Sequence, residues 1–254
     1  MTLAIVWHVI WSRIFHPNSV FARALWATVY ISVVAQVAGI LLGLAAALMR
    51  MSRLWPLRAL SGAYVLVIRG TPVLVQIFYL YFSLSWPTLH VGFTVPDAAV
   101  AGIVALSINE GAYMREIIRA GIDSIDKGQM EAAKSLGMRY GLAMRRIILP
   151  QAARVIVPPL GNEFNNMMKT TSLVYTIGVY ELFNDAEQNY SQTFIADYFL
   201  AVAFWYLVLT TVWTFVQAAI ERRLAASERG EELSFRERLT AAWNPVAAWG
   251  RGAR

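Results

Sequence analysis

The chain contains no cysteine, and lysine and histidine occur only three times each. Without cysteine there is neither a disulfide framework nor a thiolate metal site. His8, His16 and His90 are scattered over segments read below as outer regions, so they form no metal cluster. None of Lys127, Lys134 and Lys169 follows the glycine pattern GxxxxGK[ST], so the chain has no phosphate loop of its own. No paired constellation of the kind an intramembrane protease or transferase needs is visible, and the expectation is a protein that is not an enzyme.

Charge is scarce as well. Charged residues make up 15% of the chain against about 25% in a soluble domain, while 57% of residues are hydrophobic. That balance places the chain in the membrane class. Residues 1–15 lack the basic start and small-residue cleavage site of a secretory signal, so the first spanning segment is expected to stay in the mature protein. Neither a tandem repeat nor a low-complexity tract is present. The net charge of +6 would suit nucleic acid or an anionic surface, but its distribution points to the membrane, and no nucleic-acid partner is expected.

A spanning helix needs about 20 mostly apolar residues. Five segments meet or approach that length: residues 24–49, 57–84, 97–118, 147–175 and 196–220. In the first, Gly39-xxx-Gly43 permits close helix approach. The second is interrupted by Arg69-Gly70-Thr71-Pro72 and is longer than the bilayer requires, so it must tilt, kink at Pro72 or begin below the membrane. Arg69 is expected to lie near an interface and snorkel to it. The fourth is broken by Pro158-Pro159 and several amides, tolerable where neighbouring helices satisfy the freed carbonyls.

Lysine and arginine orient the spans. The stretch after the first span holds Arg50, Arg53 and Arg58, residues 115–146 hold seven basic residues, and the tail from Arg222 holds seven more. Residues 85–96 and 180–197 hold none. The expectation is an all-α membrane protein with five transmembrane helices, N-terminus out and C-terminus in. Residues 1–21 form an N-terminal interfacial segment, 22–222 the transmembrane domain, and 223–254 a basic cytoplasmic tail.

Between the third and fourth spans runs an inward basic loop of about 119–150. Ala132, Ala133 and Leu136 fall at helical spacing and are expected to form a small apolar face, with a sharp turn at Gly137. Periodicity alone favours a solvated helical hairpin. The residue pattern adds more: Glu131-Ala132-Ala133, three residues, Gly137, nine residues, Ile147, one residue, then Leu149-Pro150. This resembles the EAA loop of ABC-importer permeases at every fixed position. The resemblance implies a coupling helix seated on a separate ATP-binding subunit, with ATP and Mg bound by a dimer of that partner and no cofactor bound by this chain. Arg69-Gly70-Thr71-Pro72 with Val75 to Tyr79, Glu116-Ile117-Ile118-Arg119, Gly128-Gln129, Asn162-Glu163-Phe164 and Lys169 to Leu173 resemble the histidine/glutamine/glutamate/arginine branch of that family.

That branch implies a permease subunit in the cell (inner or plasma) membrane that passes polar amino acids inward. A periplasmic or lipid-anchored solute-binding protein would deliver them, and a second permease subunit, identical or paralogous, would complete the path. A related solute such as an opine or another small zwitterion is the alternative; a stand-alone secondary carrier fits less well, since such carriers commonly show internal repeats.

Polar side chains inside a bilayer usually face the bundle interior or a watery path. Asn162, Asn165, Asn166 and Lys169 fall within about 100° of one helix face, and Asn109, Tyr113 and Glu116 share another with Glu110 adjacent. For the asparagines, interhelical glue and solute contact are equally open. Lys169 either meets a solute carboxylate or pairs with an acidic neighbour; the related permeases have their transmembrane solute site near this lysine position.

Overall fold

Asn18 starts the first long helix: its side chain accepts from the backbone N–H of Phe21 at 2.8 Å, capping an otherwise orphan donor. The computed structural model describes residues 7–229, with side chains through residue 224. Ten helices follow in order: α1 Trp7–Phe15, α2 Ser19–Met51, α3 Trp55–Gly70, α4 Val73–Ser83, α5 Asp97–Asp123, α6 Lys127–Ser135, α7 Tyr140–Ala143, α8 Leu149–Thr170, α9 Leu182–Thr193 and α10 Asp197–Arg229. One π turn, Met144–Ile148, joins α7 to α8, and a 3₁₀ segment, Thr171–Ile177, extends α8. A two-residue-per-strand antiparallel hairpin (Leu89–His90 with Thr94–Val95) caps the approach to α5. Most of the segment expected at 223–254 lies outside the described residues, as do residues 1–6.

α2 and α5 form the central pair, and small residues set their separation. A Cβ added at Gly39 would stand 2.6 Å from Cβ of Glu110, and one at Gly43 would stand 2.9 Å from the backbone nitrogen of Arg115. Only glycine leaves room for this approach, which in lipid is driven by packing rather than by water exclusion. Around the pair, Ile31 and Ala35 of α2, Ile77 of α4, Ala105 and Leu106 of α5 and Met167 of α8 make the main core. Phe21, Leu182, Ala186 and Val202 form a second cluster that joins α2, α9 and α10.

By length and apolarity, α2 and residues 197–224 of α10 can each cross a membrane. α3 and α4 pass the same test only as a pair, a broken span or a re-entrant loop, bent by 104°. Of the possibilities open for residues 57–84, the sharp kink is the one adopted. α5 and α8 are long enough, at about 40 Å and 33 Å, but too polar to qualify on composition: α5 carries Glu110, Arg115, Glu116 and Arg119, and α8 carries Arg154, Glu163 and Lys169. Around the proline pair of α8, Trp213 Nε1 donates to the Gly161 carbonyl at 2.8 Å and Gln217 Nε2 to that of Pro158 at 3.2 Å.

α1 is held against this frame by Arg13. Its guanidinium meets Asp185 at 3.5 Å and Asn189 at 2.9 Å and lies over the rings of Phe21 and Tyr198. Tyr180 donates to the same Asp185 carboxylate at 2.7 Å, and burial followed by that bond pushes its phenol above the usual range.

Candidate coupling surface and solute path

The loop between α5 and α8 folds as a helical hairpin with caps at both ends of its first helix. Asp126 accepts from the Gly128 N–H at 2.6 Å, starting α6. At the other end Gly137 has φ +79, Gly137 N–H bonds Lys134 O at 2.9 Å, and Met138 N–H bonds Ala133 O at 3.0 Å. This left-handed cap satisfies two orphan carbonyls and turns the chain sharply, the role the sequence assigns to Gly137. The expected apolar face does not form as one surface. Ala133 is buried while Ala132 is exposed, and Leu136 is 83% exposed. The turn therefore holds itself by Ala133 and presents Glu131, Ala132 and Leu136 outward. Ile147 is half-buried in the π turn, and Leu149 and Pro150 begin α8 on its exposed side.

A ladder of charges runs down α5 towards this loop. Arg115, buried, donates to Ser61 Oγ at 3.1 Å, and Ser61 Oγ donates to Ala46 O at 2.7 Å. Arg115 also pairs with Glu116; Arg119 reaches Glu116 at 3.3 Å and Asp123 at 2.6 Å. A buried guanidinium is tolerable only when paired and hydrogen-bonded, and here it ties α2, α3 and α5 together. Sequence reasoning did not single out Ser61 or Arg115 as partners; a charge three residues inside the inner end of the expected third span was the available signal.

The candidate path residues divide by what they touch. Asn109 Nδ2 donates to Gln76 Oε1 at 3.0 Å. Glu110 is buried against α2 and accepts from Gln36 Nε2 at 3.0 Å, so it points away from the face that carries Asn109 and Tyr113. Asn162 accepts from Gln217 Nε2 at 3.2 Å. Each of these carboxamide or carboxyl groups is engaged by a glutamine of another helix. Gln36, Gln76 and Gln217 were all missed as partners, although each is a lone amide in an apolar run.

Tyr113 is half-buried and its ring lies under Arg69, 4.8 Å from ring centre to guanidinium carbon. Arg69, expected to snorkel to an interface, is exposed and lies with its guanidinium over this ring of α5. Asn165 is half-buried, and Asn166 and Lys169 are exposed at the end of α8. Among the described residues no carboxylate forms an ion pair with Lys169. The alternative for this lysine, a fixed acidic partner, has no counterpart among the described residues.

A family model described as "Binding-protein-dependent transport system inner membrane component" matches residues 39–226. The "Probable glutamine ABC transporter permease protein GlnM" of Bacillus subtilis is 40% identical over 217 residues, covering 85% of this chain and 98% of that protein. The glutamine transport system permease protein GlnP of Escherichia coli K12 is 36% identical over 217 residues, covering 84% and 97%. Among solved structures, an amino acid ABC transporter crystallised with histidines aligns with TM-score 0.74 and 39% identity, over 88% of this chain and all of that one. An inward-facing methionine ABC transporter, 19% identical with TM-score 0.66 over 81% of this chain and 96% of that one, shares the fold. The chain belongs to the family of inner-membrane components of binding-protein-dependent transport systems, as an integral membrane permease subunit of an ABC importer.

Proposed function

We propose that this permease moves polar amino acids into the cell and is driven by an ATP-binding subunit docked on the α6–α7 hairpin. The observation that carries the reading is the capped turn at Gly137, which leaves Glu131 and Leu136 projecting from a rigid element. A helix held at both ends offers a preorganised surface, so little ordering cost is left for a partner to meet. The docking set is Glu131, Ala132, Ala133, Gly137, Ile147, Leu149 and Pro150, with Ala133 acting from inside the hairpin.

ATP and Mg belong to a pair of partner ATPases, and this chain hydrolyses nothing. Five crossings with the N-terminus outside put the hairpin on the cytoplasmic side, and α5 and α8 cross with their polar faces turned to the bundle interior. The transmembrane domain occupies residues 22–222, flanked by an interfacial segment and a basic tail. A second permease subunit completes the path, and a binding protein delivers solute to its outer mouth. The names of the relatives support an amino-acid solute. Within the path, Lys169 with Asn165, Asn166 and Tyr113 is assigned to solute, while Asn109, Glu110 and Asn162 serve helix packing.

The test is reconstitution into proteoliposomes with the cognate ATPase and binding protein. Uptake of a labelled polar amino acid should require ATP, and Glu131→Ala or Gly137→Val should reduce co-purified ATPase while the permease still inserts. A β-branched residue is strained at φ +79. Full ATPase recovery and uptake in both variants would refute the docking assignment.

A further inference from the structure

The break between α3 and α4 leaves backbone carbonyls without helical partners, inside what is otherwise an apolar segment. Pro72 has no N–H to offer them, and an unsatisfied carbonyl in a bilayer is costly. One side chain answers this. Gln76 Nε2 lies 2.8 Å from Ile68 O, 3.1 Å from Thr71 O and 2.9 Å from Thr71 Oγ1. Thr71 Oγ1 in turn donates to Val67 O at 2.9 Å. A glutamine on the first turn of α4 thus caps the last turn of α3 across the bend.

Chemistry fixes which way this amide points. Ile68 O and Thr71 O can only accept, so the nitrogen of Gln76 must face them. Its oxygen is then turned to α5, where Asn109 Nδ2 donates at 3.0 Å. One turn further along α5, Tyr113 carries the guanidinium of Arg69. From the α3 arm, Tyr64 donates its hydroxyl to Ile108 O at 2.6 Å. Both arms of the bend are therefore tethered to the same turn and a half of α5.

We infer that Gln76 and Asn109 are positioning residues for transport, forming a latch that sets the α3–α4 bend and with it the place of Arg69 beside the solute path. Neither side chain touches solute. The role rests on the transport reading above but is independent of Lys169 and of the docking loop. A latch of this kind should affect how fast the assembled complex turns over, because it fixes the bend that sets Arg69 against α5. It should leave the affinity for delivered solute nearly unchanged.

Two nearly isosteric changes isolate the latch. Gln76→Glu keeps an acceptor for Asn109 but removes the donor for the carbonyls. Asn109→Asp removes the donor to Gln76 and draws its amide away from them. In reconstituted complexes, each should lower the maximal ATP-driven uptake rate by about tenfold, the effect of losing one or two part-buried hydrogen bonds. The apparent KM should stay within about twofold, since uniform solute binding is untouched. A neutral pair tests the coupling: Gln76→Leu with Asn109→Leu should be no worse than Gln76→Leu alone, as expected for two parts of one device. Cryo-electron microscopy of the Gln76→Glu complex should show the bend relaxed from 104°.

A raised KM with additive losses would make Asn109 a solute contact and overturn the latch. An unchanged bend, or unchanged uptake, would do the same. If both isosteric variants fail to assemble, the pair is a folding requirement and the positioning role falls. A wild-type complex without ATP-driven uptake counts against the proposed function instead, which separates the two failures.

Discussion

The guanidinium carbon of Arg69 lies 4.8 Å from the centre of the Tyr113 ring, so the last charge of α3 rests on the aromatic face of α5. An arginine over a ring contributes about 0.5–1 kcal/mol at an exposed site and about 2 when desolvated. Arg69 is exposed in the single chain, so the lower range applies. Tyr113→Phe keeps the face and should leave thermal stability in detergent unchanged. Tyr113→Leu should cost about 1 kcal/mol, read as a lower unfolding midpoint. Equal stability of the two variants would show that the ring contributes nothing through its face.

The positions of α2, the α3–α4 pair and α10 were legible because a bilayer imposes a length and an apolar composition; α5 and α8 were legible by length and flanking breaks, since both are too polar to qualify on composition. The turn at Gly137 was legible for a different reason: positive φ has a strong preference for one residue type. The partners of Asn109, Glu110 and Asn162 were not. A side-chain amide has four bonding sites and can meet any neighbour, so its partner depends on helix placement that no local pattern encodes. The same holds for Arg69, where Pro72 signalled a break but not that it would be 104° and carry the guanidinium onto Tyr113. In the α6–α7 hairpin, helical spacing grouped Ala132, Ala133 and Leu136, yet of these three the capped turn buries Ala133 alone.

Two glycines should respond with different sign. A Cβ at Gly43 would press on Met114 and on the backbone of Gly111 and Arg115, none of which can move without separating α2 from α5. Gly43→Ala should destabilise by about 1–3 kcal/mol, the usual range for overpacking. Nothing lies within 4 Å of a Cβ at Gly62. Gly62→Ala should be neutral or gain up to about 1 kcal/mol of helix propensity. Denaturant titration of the purified permease measures both, and a destabilised Gly62→Ala with a tolerant Gly43→Ala would refute the packing account.

The chain's lack of cysteine makes topology directly measurable. Thr88, Gln188 and Arg53 are all exposed. In sealed cells, Thr88→Cys and Gln188→Cys should react with an impermeant thiol reagent, and Arg53→Cys should react only after permeabilisation. Labelling of Arg53→Cys in intact cells would contradict the five-crossing orientation, because residues 50–58 carry the first cluster of inward positive charge.

Lys169 carries the prediction with most consequence for the solute. It sits in the last turn of α8, where a cation gains about 0.3–1 kcal/mol from the helix dipole, and its side chain is exposed. Among the described residues it has no acidic partner, while Asn165 and Asn166 lie beside it on the same helix. A cation so placed is available to an α-carboxylate, and a charged pair formed away from bulk water is worth more than one in solution. Lys169→Met keeps the length and apolar volume and removes the charge. Were the lysine half of a structural pair, the variant would strand a buried carboxylate and cost about 3–5 kcal/mol. The geometry instead predicts a stability change under about 1 kcal/mol, set by the lost dipole interaction. Uptake at limiting solute should then fall by more than about tenfold, one lost charge-assisted hydrogen bond being worth about 1.5–3 kcal/mol. Basal ATP hydrolysis and subunit assembly should persist. Lys169→Arg, which keeps the charge, should recover part of the rate. Normal uptake kinetics in a stable Lys169→Met complex would remove the lysine from the path and leave solute recognition to Asn165, Asn166 and Tyr113.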